Sequence, residues 1–291
     1  MMFKPMLAAT VTERAKLRFP LMASPKLDGI RCVVLDGKVL SKSLKPIRNK
    51  YIQEKLCGLP NLDGELIVGS AVGEGVINRT IRGVMSADGR PEFTYHVFDT
   101  LDNLRLPFRM RLAAALGDDW YSFIEVVPHT TVSNLDDLAK FEAEMLRAGY
   151  EGVMLRHPEA PYKMGRATPT EGSLWKLKQF TDGEILVTEV CEGVINSNEP
   201  TKDAIGATVR STHQENMVPS NKVGTIIGVD MQTGQTLKVS PGKMTHTDRE
   251  RYWADHSLIL GKIVKYKSFE YGSIDAPRFA TFQAFRDPTD M

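Results

Sequence analysis

The sequence predicts an α+β protein: antiparallel sheets flanked by helices over residues 1–180, then a five-stranded barrel of the OB type over 181–291. Three observations carry this. Strand-like and helix-like runs in the first part do not alternate strictly, which argues against a doubly wound parallel sheet. Near Phe180 the texture changes to about five strand-like runs and one helix within ~110 residues. The segment 193–223 is long, polar and poor in core residues, and reads as a surface loop with a functional purpose.

In chain order, β-rich runs fall at 31–35, 66–68, 93–98 and 152–156. Helical patterns fall at 108–116 and 135–148, the latter opened by Asn134 as N-cap and closed by Gly149. Beyond Phe180, strands are expected at 184–190, 224–230, 235–239, 261–271 and 278–285. A helix among them is expected to open on a capping box of Thr247 and Glu250. Gly69 to Gly75 superficially looks like a phosphate loop but lacks the terminal Lys-Ser/Thr, so an ordinary flexible loop is expected.

The 291 residues are 42% apolar and 25% charged, with a net charge of +1. This is ordinary globular composition, and overall charge does not announce a nucleic-acid binder. No apolar run is long enough to span a membrane, and charges interrupt the N-terminal stretch, so no signal peptide is expected. Cys32, Cys57 and Cys191 match no zinc or disulfide pattern and suit a reducing, cytoplasmic setting.

The chemistry concentrates in Lys26-Leu27-Asp28-Gly29-Ile30-Arg31. A lysine attacks phosphorus only as the neutral amine, so such a role requires neighbouring cations or a divalent metal to lower its ordinary pKa of ~10.4. Asp28 shares a face with Lys26 if the segment is extended. Gly29 permits a turn or a close approach. Arg31 offers a planar fork for phosphate.

This segment resembles the nucleotidyl-lysine motif of the covalent nucleotidyltransferases. Five further motifs resemble that superfamily's in its usual order: residues 41–49, 62–66, 95–99, 151–156 and 174–178. Over essentially the whole chain, the resemblance is to the minimal two-domain ATP-dependent DNA ligases of viruses and phages, of the Chlorella virus type. Lys202-Asp203 followed by Arg210-Ser211-Thr212-His213 resembles their DNA latch, placing a latch-like insertion at about 195–222. Residues 261–264 and 276–279 resemble the end of their OB domain.

The resemblance implies a nucleotidyltransferase domain followed by an OB domain. It also implies sealing of 3′-OH/5′-phosphate nicks in duplex DNA, in replication, repair or recombination. Lys26 would take AMP from ATP, Glu65 hold the ribose and Phe98 stack on adenine. Glu151, with Glu65, would hold Mg2+ or Mn2+. Lys176 and Lys178 would clamp the α-phosphate. Arg31 and Lys42 would contact the 5′-phosphate, and Asp28 would lie near the 3′-hydroxyl. Lys202 and Arg210 would hold DNA, and Arg286 would orient pyrophosphate.

Two departures stand out. Lys42 occupies a position where arginine is usual. Met291 follows Asp290 where the C-terminal motif has a basic residue. Three alternatives remain: an mRNA capping guanylyltransferase, an RNA ligase, and a non-catalytic nick-binding descendant. Only 25 residues precede Lys26, which argues against the NAD-dependent ligase type. A monomer without obligatory protein partners is the expectation.

Overall fold

The computed structural model describes residues 3–117, 119–178, 180–202, 208–269 and 277–286. The chain divides into two compact units, Met1–Gln179 and Phe180–Met291. It is α+β, built from several sheets and few helices.

The first unit contains, in order, β1 (Ala9–Thr10), β2 (Leu21–Pro25), β3 (Ile30–Leu35), β4 (Lys38–Ser41), α1 (Lys50–Leu56), β5 (Leu62–Val68) and α2 (Val76–Met85). There follow β6 (Phe93–Thr100), α3 (Phe108–Leu116), β7 (Ile124–Val126), β8 (Thr130–Val132), α4 (Leu135–Arg147), β9 (Gly152–Arg156) and β10 (Leu174–Lys178). The strands form two mainly antiparallel sheets, ordered β1-β10-β9-β2-β8 and β4-β3-β5-β6-β7.

Period-two alternation gives each sheet an outer and an inner face. In the first sheet, Leu21, Ala23, Val153, Leu155, Trp175 and Leu177 pack outward in a core with Leu138 of α4, while Leu174 and Met154 turn inward. In the second, Cys32, Val34, Leu62 and Leu66 pack outward, and Val33 and Leu35 turn inward. The inner faces share a smaller core with Met6, Leu101 and Tyr162.

α3 has the expected bounds, and α4 ends one residue earlier than expected, with Ala148 as its C-cap. The side chain of Asn134 accepts from Asp137 N at 2.8 Å, and Gly149 follows the helix at φ +87°. α2 is not among the expected helices, although Val76, Ile77, Ile81, Val84 and Met85 recur at helical spacing along it. Its buried stripe is only Val76, Thr80 and Val84, one residue per turn with a hydroxyl among them. Gly29 serves a close approach between strands, not a turn toward a ligand: a Cβ there would lie 2.3 Å from the Leu66 carbonyl oxygen.

The second unit contains β11 (Thr181–Asn196), β12 (Pro200–Lys202), β13 (Thr208–Arg210), β14 (Met217–Asp230), β15 (Thr236–Val239), α5 (His246–Ala254), β16 (Ile263–Phe269) and β17 (Arg278–Phe285). Its main sheet is ordered β15-β14-β11-β16-β17. The two edge strands meet through a parallel bridge between Ser240 and Thr281, with Ser240 N donating to Ala280 O at 2.9 Å. Five strands joined in that order, with a helix before the fourth, match the OB topology.

Two expectations are corrected here. The polar stretch 193–223 carries strands where a loop was expected: β11 and β14 run past the core as a paired ribbon, with Asn196 opposite Met217, and β12 pairs antiparallel with β13 beyond it. Val194, Ile195 and Val218 are exposed there, so no alternation marks the strands. The capping box also lies two residues earlier than expected. Thr245 caps α5 and Asp248 closes the box, whereas Glu250 pairs with Lys222 at 2.8 Å. The sequence carries both Thr-x-x-acid registers; a search for Glu alone selects the wrong one.

Candidate active site

Between the inner faces of the first unit's sheets lies a cavity of about 240 Å³. Strand register builds its floor. Lys26 follows β2, and its backbone N–H donates to Gly152 O at 2.9 Å, which places Lys26 beside Glu151. Pairing of Ser24 with Met154, and of Met154 with Lys176, sets the next row; Arg156 opposite Leu174 sets the one after. All five of those residues line the cavity.

The opposite wall carries Arg31, paired in register with Glu65, and Phe98. Phe98 is the extra residue of a β-bulge: Gly64 opposes Val97 and Asp63 opposes Asp99, so Phe98 has no opposite number. A bulge lets consecutive side chains escape strict alternation. Phe98 therefore lines the cavity while Asp99 reaches Arg111 at 2.7 Å and also pairs with Arg156.

Lys26 Nζ donates to one oxygen of Glu151 and Lys178 Nζ to the other, and all three side chains are largely buried. Burial alone would raise the Glu151 carboxyl, but the two lysines together hold it below the ordinary carboxylate range. Burial and then the charge of Lys26 lower Lys178; burial, Lys178 and Lys26 lower Lys176. Six cations line the cavity, Lys26, Arg31, Lys42, Arg156, Arg166 and Lys176, against one carboxylate, Glu65. That imbalance suits an anionic ligand such as a phosphate ester.

Arg31 donates through Nε and Nη2 to Asp63, and its guanidinium lies 4.6 Å from the Phe98 ring centroid. Burial opposes its charge, and Asp63 more than restores it. Tyr162 donates to the same carboxylate at 2.6 Å. Asp28 is buried, and its charge acts on Lys178 and Glu65.

Lys26, Arg31, Lys42, Glu65, Phe98 and Lys176 thus line one cavity, with Glu151 and Lys178 joined to it through Lys26. Sequence reasoning missed Asp63, Asp99, Arg156, Arg166, Tyr162, Ser24 and His129. The first three sat inside quoted motifs and could have been found there. Arg286 belongs to the second unit, where it pairs with Glu184 at 2.7 Å. Arg210 donates to the Asn198 carbonyl, and the Lys202 backbone pairs with Thr208. Asp203, Ala276, Asp290 and Met291 lie outside the described residues.

Glu65 permits a test by titration. Burial pushes its carboxyl up to about 7, with Arg31 and Lys26 pulling the other way. An unfolded glutamate titrates near ~4.3, so the folded chain binds this proton more tightly than the unfolded one. The stability contributed is complete below ~4.3 and lost as pH rises through about 7. Denaturant midpoints of the wild type, taken relative to Glu65→Gln, should fall across that window. Parallel profiles would remove the assignment.

Two facing sheets with a carboxylate-paired lysine at a cation-rich cavity place the first unit in the nucleotidyltransferase fold class. Residues 5–178, more than half of the chain, match the family described as ATP dependent DNA ligase domain, and the chain belongs to that family. It is 28% identical over 108 residues to a DNA ligase of African swine fever virus, covering 35% of this chain and 26% of that protein. The chain therefore spans about a quarter of that relative's length. Among solved structures, the Chlorella virus DNA ligase-adenylate aligns over 98% of this chain and 100% of its own, at 26% identity and a TM-score of 0.55. A Lig E DNA ligase aligns over 98% of this chain and 100% of its own, at 22% identity and a TM-score of 0.73, a likeness of fold.

Proposed function

We propose that this chain is an ATP-dependent DNA ligase that seals nicks through an AMP bonded to Lys26. The observation that carries this is the Lys26 amine, held on Glu151, at a cavity lined by six cations and one carboxylate. In the first step, Lys26 Nζ bonds to the α-phosphorus of ATP and pyrophosphate leaves; the amine proton passes to Glu151 or solvent. Next, a 5′-phosphate oxygen at the nick takes the AMP and frees the lysine. Finally, the 3′-hydroxyl attacks the activated 5′-phosphorus, AMP leaves, and the phosphodiester is closed. Such transfers need positioning and charge neutralisation above all.

Glu65 accepts from the ribose hydroxyls and Phe98 stacks on the base. Lys176 and Lys178 neutralise the α-phosphate. Arg31 and Lys42 take the 5′-phosphate, with Asp28 near the 3′-hydroxyl. Lysine at position 42 keeps the charge but loses a bidentate fork. Lys202 and Arg210 belong to the ribbon and strand pair that hold duplex DNA, and Arg286 assists the first step. Recognition runs through phosphates and shape, since sealing is independent of sequence.

Among the described residues no group of three or more His, Cys, Asp and Glu forms a metal cage. A hard cation held by one or two carboxylates, water and substrate phosphates fits this donor set. Glu151 and Glu65 would hold Mg2+ or Mn2+, which neutralises phosphate charge. No helix among the described residues is long and apolar enough to cross a membrane. A monomer acting in the cytoplasm, without an obligatory protein partner, completes the proposal.

The test is incubation with α-labelled ATP or GTP and magnesium, then a denaturing gel. Label from ATP, discharged by nicked DNA and leaving sealed product, is the expected result. Label from GTP alone would move the reading to capping chemistry.

A further inference from the structure

His129 lines the cavity and has no part in the chemistry proposed above. β2 pairs with β8 through Leu21–Val132, Met22–Thr131 and Ala23–Thr130. One step further in that register sets Ser24 against His129. The row then runs His129, Ser24, Met154, Lys176 across four neighbouring strand positions, and all four line the cavity. Three inter-strand spacings of ~4.8 Å separate its ends by about 14 Å. That span admits a nucleoside monophosphate with its phosphate toward Lys176 and its base toward His129.

The ring of His129 is held in one state. Its Nδ1 lies 2.8 Å from the Val127 carbonyl oxygen. A carbonyl only accepts, so Nδ1 carries the proton, and in the neutral ring Nε2 keeps a lone pair. The edge of Phe108 packs against the ring at 5.2 Å between centroids. Burial, and after it the Arg156 guanidinium, lower the imidazole to about 4, with the Val127 hydrogen bond and Asp99 opposing. The ring is therefore neutral at physiological pH. Among the described residues Nε2 has no hydrogen-bond partner.

We propose that His129 Nε2 accepts a hydrogen bond from the exocyclic amino group of adenine and so selects ATP among purine nucleotides. The inference rests on the reading above, that this cavity holds the nucleotide. Guanine would present a carbonyl oxygen where adenine presents its amino group, setting acceptor against acceptor with no proton to share. A purine without a 6-substituent would leave Nε2 unpaired.

The experiment measures kcat/KM for labelling the intact chain with α-labelled ATP, GTP and purine riboside triphosphate, with magnesium present. Wild type, His129→Leu and His129→Gln are compared. The wild type should prefer ATP over the purine riboside analogue by about three- to tenfold, the worth of one neutral hydrogen bond. His129→Leu should bring that ratio near one by slowing ATP alone. His129→Gln, whose amide oxygen can accept, should keep the preference. Equal use of the two nucleotides by the wild type overturns the proposal, whether or not the leucine variant folds. So does an unchanged ratio in His129→Leu. No label on the wild type from any triphosphate would remove the nucleotide-site reading and this inference together.

Discussion

Exchanging Lys26 for alanine should abolish covalent labelling by ATP, a loss of roughly 10³-fold or more, as befits removal of a nucleophile. The two lysines of β10 are proposed to serve the α-phosphate as cations, not as nucleophiles. Lys178 is drawn onto the other oxygen of Glu151, and Lys176 lies two residues away along β10. The same variant should fold normally, because Glu151 keeps Lys178 as a counter-charge and Lys26 carries no part of the hydrophobic core. Thermal unfolding within a few degrees of the wild type would establish that the loss is chemical. DNA already adenylylated at the nick should still be sealed by the variant, since its third step does not use the amine as nucleophile. Retained label on the variant would sink the assignment of Lys26.

The largest effect on stability is expected from Asp99→Ala. This carboxylate is fully buried between Arg111 and Arg156, themselves 1% and 5% exposed. Taking one partner from a buried ion cluster costs about 3–5 kcal/mol, because the remaining charges are stranded away from water. Here two guanidinium groups would be stranded at once. Arg156 lies 5.6 Å from the Phe98 ring centroid, and 4.5 Å from that of Phe108, so their packing should loosen as well. Urea unfolding monitored by tryptophan fluorescence reads the change directly. A shift under 1 kcal/mol would mean that water or rearrangement satisfies the arginines, contrary to the geometry described.

Much of the site was legible because its residues cluster in short motifs on strands, where spacing sets the face. Lys176 and Lys178 share a face for that reason, and Glu65 registers with Arg31 through a simple antiparallel pairing. What stayed hidden depends on partners distant along the chain. Asp63 meets Tyr162 across 99 residues, and His129 joins the cavity only through the pairing of β8 with β2. The Phe98 bulge was hidden too, since an extra residue leaves no compositional trace. α3 was legible from its run of helix-forming Leu, Ala, Met and Arg residues, and α4 from periodicity and capping. The ribbon was not, because its strands pair with each other and bury little, whereas amphipathic alternation records burial.

The cavity floor has a consequence for how the gene can change. Its working side chains occupy alternate positions on neighbouring strands, and their meeting point depends on parity. An insertion or deletion of one residue within β10 would send the lysines into the outer core and bring Trp175 or Leu177 into the phosphate end. Substitution can tune this floor one residue at a time, but changes in length are confined to the turns that join its strands. Lineages of such a domain should therefore differ in loop length while the counting between Lys26 and the end of β2, and between Lys176 and Lys178, stays constant.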